Sequence, residues 1–280
     1  MIPKDIVLDD IRRLVAAGAR HITFGDPDFL NGPGHSVAII KSMHESFPAV
    51  TFDFTAKIEH LLTHRELFPE LARCGCLFVI SAVESLSNEV LKHLEKGHVR
   101  QEVFEALAIV RQAGIALRPS WVAFTPWTTL EDYLEIFAFV ERERLVYHVD
   151  PVQYAIRLLV PPGSGLLGRS AIQPFLRELD QAHLYYRWEH PDPRMDALHE
   201  RVSELVEEAA RQEEDAAVTF ARLKAVVLQA LEVAERPVAV PQGEGARPPR
   251  LTEAWFCCAE PTKGQFEPLN GMSEGGVDHV

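Results

Sequence analysis

Along roughly the first 160 residues, apolar positions alternate between helical spacing and short strand-like runs. The opening segment sets Ile6, Leu8, Ile11, Leu14 and Val15 at helical positions; Pro3 suits a first turn and Gly18 supplies a stop. A strand is expected from His21 to Phe24, a helix around Ser36 to Phe47, and a strand from Val50 to Ala56. A helix over 64–73 leads to a strand from Leu77 to Ala82, and helices over 88–95 and 100–113 follow, the second closed by Gly114. A strand from Ile115 to Phe124, a helix from Leu130 to Arg144 and a strand from Val152 to Val160 complete the series. This alternation predicts βαβ units around a parallel sheet with buried strands. The chain opens on a helix, whereas a parallel barrel normally opens on a strand, so the expected α/β architecture is a partial (β/α) barrel lacking its first strand.

After the PPGSG turn at 161–165 the alternation stops. Residues from Met195 to Ala234 read as helix, with Leu198, Val202, Leu205 and Val206 on one stripe and Phe220, Leu223, Val227 and Leu231 on another. The acidic stretch Glu207 to Asp215 reads as a solvated helix face or a turn between two helices. From Arg236 onward proline and glycine dominate, as in a linker. The expected organisation is a barrel-like unit over 1–168, a helical C-terminal extension over 169–235, and a flexible linker and tail over 236–280.

Composition narrows the function classes. Acidic residues number 41 against 28 basic ones, a formal net charge of −13, so there is no global basic field and nucleic acid is not an expected partner. The longest mostly apolar run, Leu77 to Val83, falls far short of the roughly 20 residues of a membrane span. Charges occupy the place of a signal peptide's apolar stretch, so a soluble cytoplasmic protein is expected. The four cysteines, Cys74, Cys76, Cys257 and Cys258, have neither the number nor the spacing of a disulfide scaffold or zinc knuckle. Cys74 and Cys76 read as small core residues. His60 and His64, four apart, can share a helix face, but no third ligand stands near them in sequence.

Ligands of parallel α/β folds collect at the carboxyl ends of the strands. That rule selects Gly25, Asp26 and Asp28 after the first strand, Thr55 and Lys57 at the second, and Glu84 and Ser85 after the third. Arg118 and Ser120 lie on the fourth, ahead of TPWTT at 125–129; the fifth ends in LVPPGS at 159–164. Each of these is also ordinary turn and cap chemistry; only their convergence at one mouth points to a site.

In order and spacing, these segments resemble the radical S-adenosylmethionine (SAM) superfamily, particularly the branch often joined to a cobalamin-binding domain. HITFGDPDF stands in the place of that family's Gly-Gly-Glu motif, which receives the amino group of SAM. SAVESLSNEVLKHLEKG is similar to its Gly-x-Glu-Ser segment with downstream Leu-Lys and Lys-Gly. RQAGIALRPSWVAFTPWTTLEDY resembles its Lys-x-Ala-Gly-Ile strand, and LLVPPGSGLL its Pro-Gly-Thr turn. The resemblance spans about residues 4–168. It implies that Gly25, Asp26 and Asp28 receive the methionine end of SAM, that Glu84 and Ser85 lie near its ribose, and that Lys57, Arg118 and Ser120 line the mouth. It also implies reductive cleavage of SAM at a four-iron four-sulfur cluster, a 5′-deoxyadenosyl radical, and hydrogen abstraction from a small-molecule or peptide substrate. An electron donor such as flavodoxin or ferredoxin would be a partner; a role for cobalamin stays open.

Two departures bear on that reading. Ala123-Phe124-Thr125 stands where the family has a glycine before its proline. The C-x3-C-x2-C cluster signature is missing, and its ligands are expected upstream of Met1. Near the other end, Trp255-Phe256-Cys257-Cys258-Ala259-Glu260-Pro261 resembles the tail of a radical SAM subgroup ending in Cys-Cys-Ala-Glu-Pro or its selenocysteine counterpart, which makes Cys257 and Cys258 candidates for a redox arm. The competing readings are a cluster-less, non-catalytic module that binds SAM or a partner, and an unrelated barrel enzyme using Asp26, Asp28 and Glu84 in acid–base roles.

Overall fold

A computed structural model describes residues 2–233 and Pro248; the rest of the expected linker and tail, including Cys257 and Cys258, lies outside the described residues. The fold is mixed α/β. Helix α1 (Lys4–Ala16) leads into β1 (His21–Phe24), then α2 (Pro33–Ser46), β2 (Thr51–Thr55), α3 (Ile58–Thr63), α4 (Phe68–Arg73) and β3 (Cys76–Glu84). Next come α5 (Asn88–His93), α6 (Arg100–Gln112), β4 (Ala116–Trp121) and α7 (Leu130–Arg142). A hairpin of β5 (Leu176–Asp180) and β6 (Tyr185–Trp188) precedes the long helices α8 (Pro193–Arg211) and α9 (Ala216–Ala230).

Strands β1 to β4 form one parallel sheet in sequence order. Side chains alternate across it. Ile22, Phe52, Phe54, Val79, Leu117 and Trp121 enter the main apolar core, while Thr23, Asp53, Phe78, Ile80 and Arg118 share the opposite face. Gly75 brings β3 alongside β2: its φ is +98°, and a Cβ there would stand 3.0 Å from the Val50 carbonyl. Only glycine meets both conditions without strain.

The expected strand over 152–160 is not formed as such. A 3-10 turn covers Pro151–Ala155, and pairing with the sheet is limited to a parallel bridge between Phe124 and Arg157. The reason is local. Pro151 favours the turn, and the Gln153 side chain, not a backbone carbonyl, accepts the Trp121 N–H at 2.9 Å. The β5–β6 hairpin also departs from the periodicity reading, because LRELD and YYRW carry no hairpin dipeptide; Leu184 instead turns the chain with φ of 59°. A smaller core of Val122, Ile156, Leu158, Val160, Ile172 and Trp188 lies beneath it.

Helix ends follow their capping residues. Thr129 and Asp132 form a reciprocal box at the start of α7, Asp192 caps α8 ahead of Pro193, and Asp215 caps α9. The acidic stretch 207–215 is thus the end of α8, a turn, and a cap. Phe137 of α7 stacks on Tyr154 at 4.8 Å and meets Phe220 of α9 at 5.3 Å, so the helical pair sits directly on the sheet unit's last helix.

One packed histidine carries a pH consequence. His199 of α8 hydrogen-bonds the Ala155 carbonyl at 3.2 Å, and burial, aided by the Arg157 guanidinium, pushes its pKa down to about 4. The unfolded imidazole titrates near 6.5. Between those values the unfolded chain binds more protons, so this contribution is complete above about pH 6.5 and is lost as pH falls toward 4. The loss should be about 3 kcal/mol, with burial of His98 and His148 adding in the same direction. Urea unfolding at pH 7 and pH 4.5 should show this slope, and His199→Gln should flatten it; an unchanged slope in the variant would place the acid lability elsewhere.

Candidate functional site

The carboxyl ends of β1 to β4 carry most of the sequence-selected residues, in separate small groups. After β1 the chain turns at Gly25-Asp26-Pro27. Asp26 Oδ1 accepts the Asp28 backbone N–H at 2.8 Å, while no partner is found for its other oxygen among the described residues. Gly25 and Asp26 border a cleft of ≈ 730 Å³ between the end of β1, α1 and α2, walled by Ile6, Phe24, Phe29 and Ile39 and edged by Asp10 and Arg13. A Cβ added at Gly25 would meet nothing within 4 Å, so the backbone is open to a ligand on that side. That volume lies within the usual range for small-molecule sites, roughly 300–1,000 Å³.

Asp28 points elsewhere. Its Oδ1 lies 2.8 Å from His60 Nδ1 and its Oδ2 lies 3.4 Å from Lys57 Nζ. The structure therefore joins Asp28 to Lys57, both selected from sequence, and adds His60 from α3. The sequence reading left 58–63 without a helix, which hid that His60 turns back toward the β1 loop.

At β3 the register shifts between Ala82 and Glu84, and Glu84 takes φ of 64°, a left-handed conformation that costs a non-glycine residue energy. The kink has a clear effect: Glu84 Oε1 receives the Lys96 ammonium at 2.9 Å, while the Glu84 carbonyl takes the Val122 N–H at 2.9 Å. Ser85 Oγ accepts the Ser87 N–H at 3.1 Å, an ordinary turn contact. On β4, Arg118 is 4% exposed, lies 5.2 Å over the Phe78 ring, and pairs with Asp150 at 2.6 Å. Ser120 Oγ reaches the Ser81 carbonyl only at 3.5 Å. Arg118 sits level with Ile80 and Thr55 across the sheet, well below Glu84.

Asp53 is a chemically notable residue that the sequence reading missed. It is fully buried in β2, yet its Oδ1 takes the Thr23 hydroxyl at 2.7 Å and His21 Nε2–H at 2.8 Å, and its Oδ2 has no hydrogen-bond partner. The apolar TFDFT pattern disguised it as a strand position like the others.

The fit to a cluster can be tested on the described thiols. Cys74 and Cys76 are buried at the opposite, N-terminal end of β3, and burial pushes both thiols up, away from the thiolate a cluster needs. No group of three or more His, Cys, Asp or Glu side chains suited to a metal ion occurs among the described residues. These residues do not fit an iron–sulfur cluster. Likewise, among the described residues no helix is long and apolar enough to cross a membrane.

No known family profile matches the chain. Two curated relatives match it, both bearing the name tRNA-2-methylthio-N(6)-dimethylallyladenosine synthase. The protein of Desulfosudis oleivorans is 29% identical over 147 residues, covering 49% of this chain and 31% of the relative. That of Chlorobium phaeobacteroides is 26% identical over 167 residues, covering 55% of this chain and 37% of the relative. The chain thus spans about a third of the length of these relatives. Among solved structures, the cobalamin-dependent SAM radical enzyme OxsB with aqua-cobalamin bound matches with a TM-score of 0.59 at 17% identity, over 74% of this chain and 37% of OxsB. OxsB without ligands matches with a TM-score of 0.58 over 81% of this chain and 43% of that one. At such identity the likeness is one of fold: the parallel sheet and its helices share the OxsB arrangement.

Proposed function

We propose that the chain is a radical SAM enzyme or the SAM-binding part of one, acting on a small-molecule or peptide substrate. The observation that carries this reading is the placement of polar side chains at the carboxyl ends of four parallel strands, in a fold shared with a SAM radical enzyme. The residues fit such a ligand at β1. Gly25 leaves the backbone open, and the unpartnered oxygen of Asp26 suits the ammonium of an amino-acid moiety as a charge-assisted acceptor. Glu84 and Ser85 stand at the end of β3, while Arg118 and Ser120 lie lower on β4; Lys96 pairs with Glu84 and Asp150 with Arg118. Asp28 is held by Lys57 and His60, and its role toward a ligand runs through them.

In this reading the cluster ligands lie upstream of Met1, on a segment whose strand would complete the barrel's first unit against β1, which has no further strand beside it among the described residues. A flavodoxin- or ferredoxin-type donor would then be the electron source, Cys257 and Cys258 a candidate redox arm, and cobalamin an open question that the OxsB likeness raises. A second reading, a cluster-less module that binds SAM or a partner protein, is favoured by the lack of any three-ligand group among the described residues.

The test uses this chain and the in-frame sequence preceding it. Extension upstream should reveal C-x3-C-x2-C, and the extended protein, reconstituted with iron and sulfide and reduced, should release 5′-deoxyadenosine from SAM. The 280-residue chain alone should release none. Calorimetric SAM binding by the chain, abolished by Asp26→Ala, combined with an in-frame stop and no upstream triad, would establish the module reading instead.

A further inference from the structure

Where β1 and β2 end, Asp28, Lys57 and His60 form a linked set whose chemistry the strand-end roles above leave unused. His60 Nδ1 lies 2.8 Å from Asp28 Oδ1, and Lys57 Nζ lies 3.4 Å from Asp28 Oδ2. The Asp28 side chain is 12% exposed; its Oδ2 is closed to solvent and makes no hydrogen bond, so the Lys57 ammonium at 3.4 Å is the cation that faces it. A carboxylate on one imidazole nitrogen fixes both the orientation of the ring and the position of its proton. Neutral His60 therefore holds its proton on Nδ1 and its lone pair on Nε2. No partner for Nε2 is found among the described residues, and the His60 side chain is 18% exposed. The half-buried His64 ring packs tilted against His60 with its centroid 5.9 Å away.

We propose that His60 is a proton-accepting group at the ends of β1 and β2, outside the cleft beside Gly25 and Asp26, with Asp28 and Lys57 as positioning residues, and that it serves a substrate bearing an acidic N–H or O–H. The lone pair of Nε2 forms the new N–H bond. The donor's own N–H or O–H bond breaks and leaves its electron pair on the donor, and the imidazolium charge is faced by Asp28. No oxidant or reductant enters the step. The inference borrows from the proposed function only the location of the site, so loss of SAM binding would leave it standing, and its own failure would leave the SAM reading intact.

Long-range nitrogen–proton NMR spectra of the histidine-labelled 280-residue protein, with His60→Gln to assign the signal, test the arrangement directly. In its neutral form His60 should show Nε2 as the unprotonated nitrogen, and Asp28→Ala should shift it toward the Nε2–H form that an unconstrained imidazole prefers. Diethyl pyrocarbonate, which acylates the unprotonated nitrogen, should modify His60 several-fold faster in the parent than in Asp28→Ala. The Nε2–H form in the parent, or equal acylation rates in a folded variant, overturns the proposal. The parent spectrum decides the matter even if Asp28→Ala disturbs the loop.

Discussion

Phe137→Ala is expected to lower the stability of the protein by about 3–5 kcal/mol, the usual range for deleting a fully buried phenylalanine ring. Phe137 is 0% exposed and touches Tyr133, Tyr154 and Phe220, so the cavity would open where α7, the 3-10 turn after Asp150 and α9 meet. These are aromatic contacts whose rings cannot collapse into the space without leaving their own partners. Tyr133, for example, is held by a hydrogen bond from its hydroxyl to the Tyr154 carbonyl at 2.8 Å. Urea unfolding followed by both far-ultraviolet circular dichroism and tryptophan fluorescence measures the loss. The two signals should remain superimposed in the parent, because α8 and α9 share this core with the sheet unit. A loss below about 1 kcal/mol would mean that the ring is not a buried junction.

Asp53→Ala should cost about 3 kcal/mol, at the lower end for breaking a buried charge arrangement because His21 keeps some contact with water. The carboxylate is shut inside β2, and only one of its two oxygens is repaid by hydrogen bonds from His21 and Thr23. Removing it strips both donors of their acceptor, whereas replacing all three side chains leaves only the Thr51 hydroxyl, which bonds His21 Nδ1 at 2.8 Å, to fall back on the Arg20 carbonyl. The combined change Asp53→Leu, His21→Phe and Thr23→Val should therefore recover most of the loss, as apolar replacements of buried polar groups often do. Denaturant midpoints of the single and triple variants decide it. A triple variant as unstable as the single one would show that the polar set specifies the packing of β1 on β2, beyond its charge balance.

Much of the architecture was written in apolar periodicity. The four parallel strands and the helices α1, α2, α6 and α7 follow from the spacing of residues such as Ile6, Ile11, Phe52, Phe54, Val79 and Leu117, since burial of one face demands that spacing. What periodicity misses is what side chains do in place of backbone. Gln153 hid the absence of a regular fifth strand, and α3 hid behind Lys57-Ile58-Glu59-His60, whose charges look like a loop until Ile58 and Leu61 are seen to be buried. The hairpin was invisible because its stability comes from Trp188, hydrogen-bonded to the Leu158 carbonyl at 2.8 Å and covered by Arg157, not from its own alternation. At the site, residue types were legible and partners were not. Asp28, Glu84 and Arg118 could each be picked from strand-end position, but their pairing with His60, Lys96 and Asp150 spans 12 to 32 residues and depends on how the loops close.

The Gln153 contact places an unusual demand on this chain's tolerance of substitution. In an ordinary strand any residue can occupy a ladder position, because the acceptor belongs to the backbone and is common to all. Here the acceptor for the buried Trp121 backbone N–H is a side-chain oxygen, so a requirement normally met by shape is met by identity. Glutamate retains an oxygen at that reach but brings a charge into a position that is nearly sealed; asparagine falls a methylene short; leucine fills the volume and leaves the N–H orphaned. A position that the sequence reading places inside a strand, as one more ladder residue, is therefore as restricted as a glycine at a tight turn.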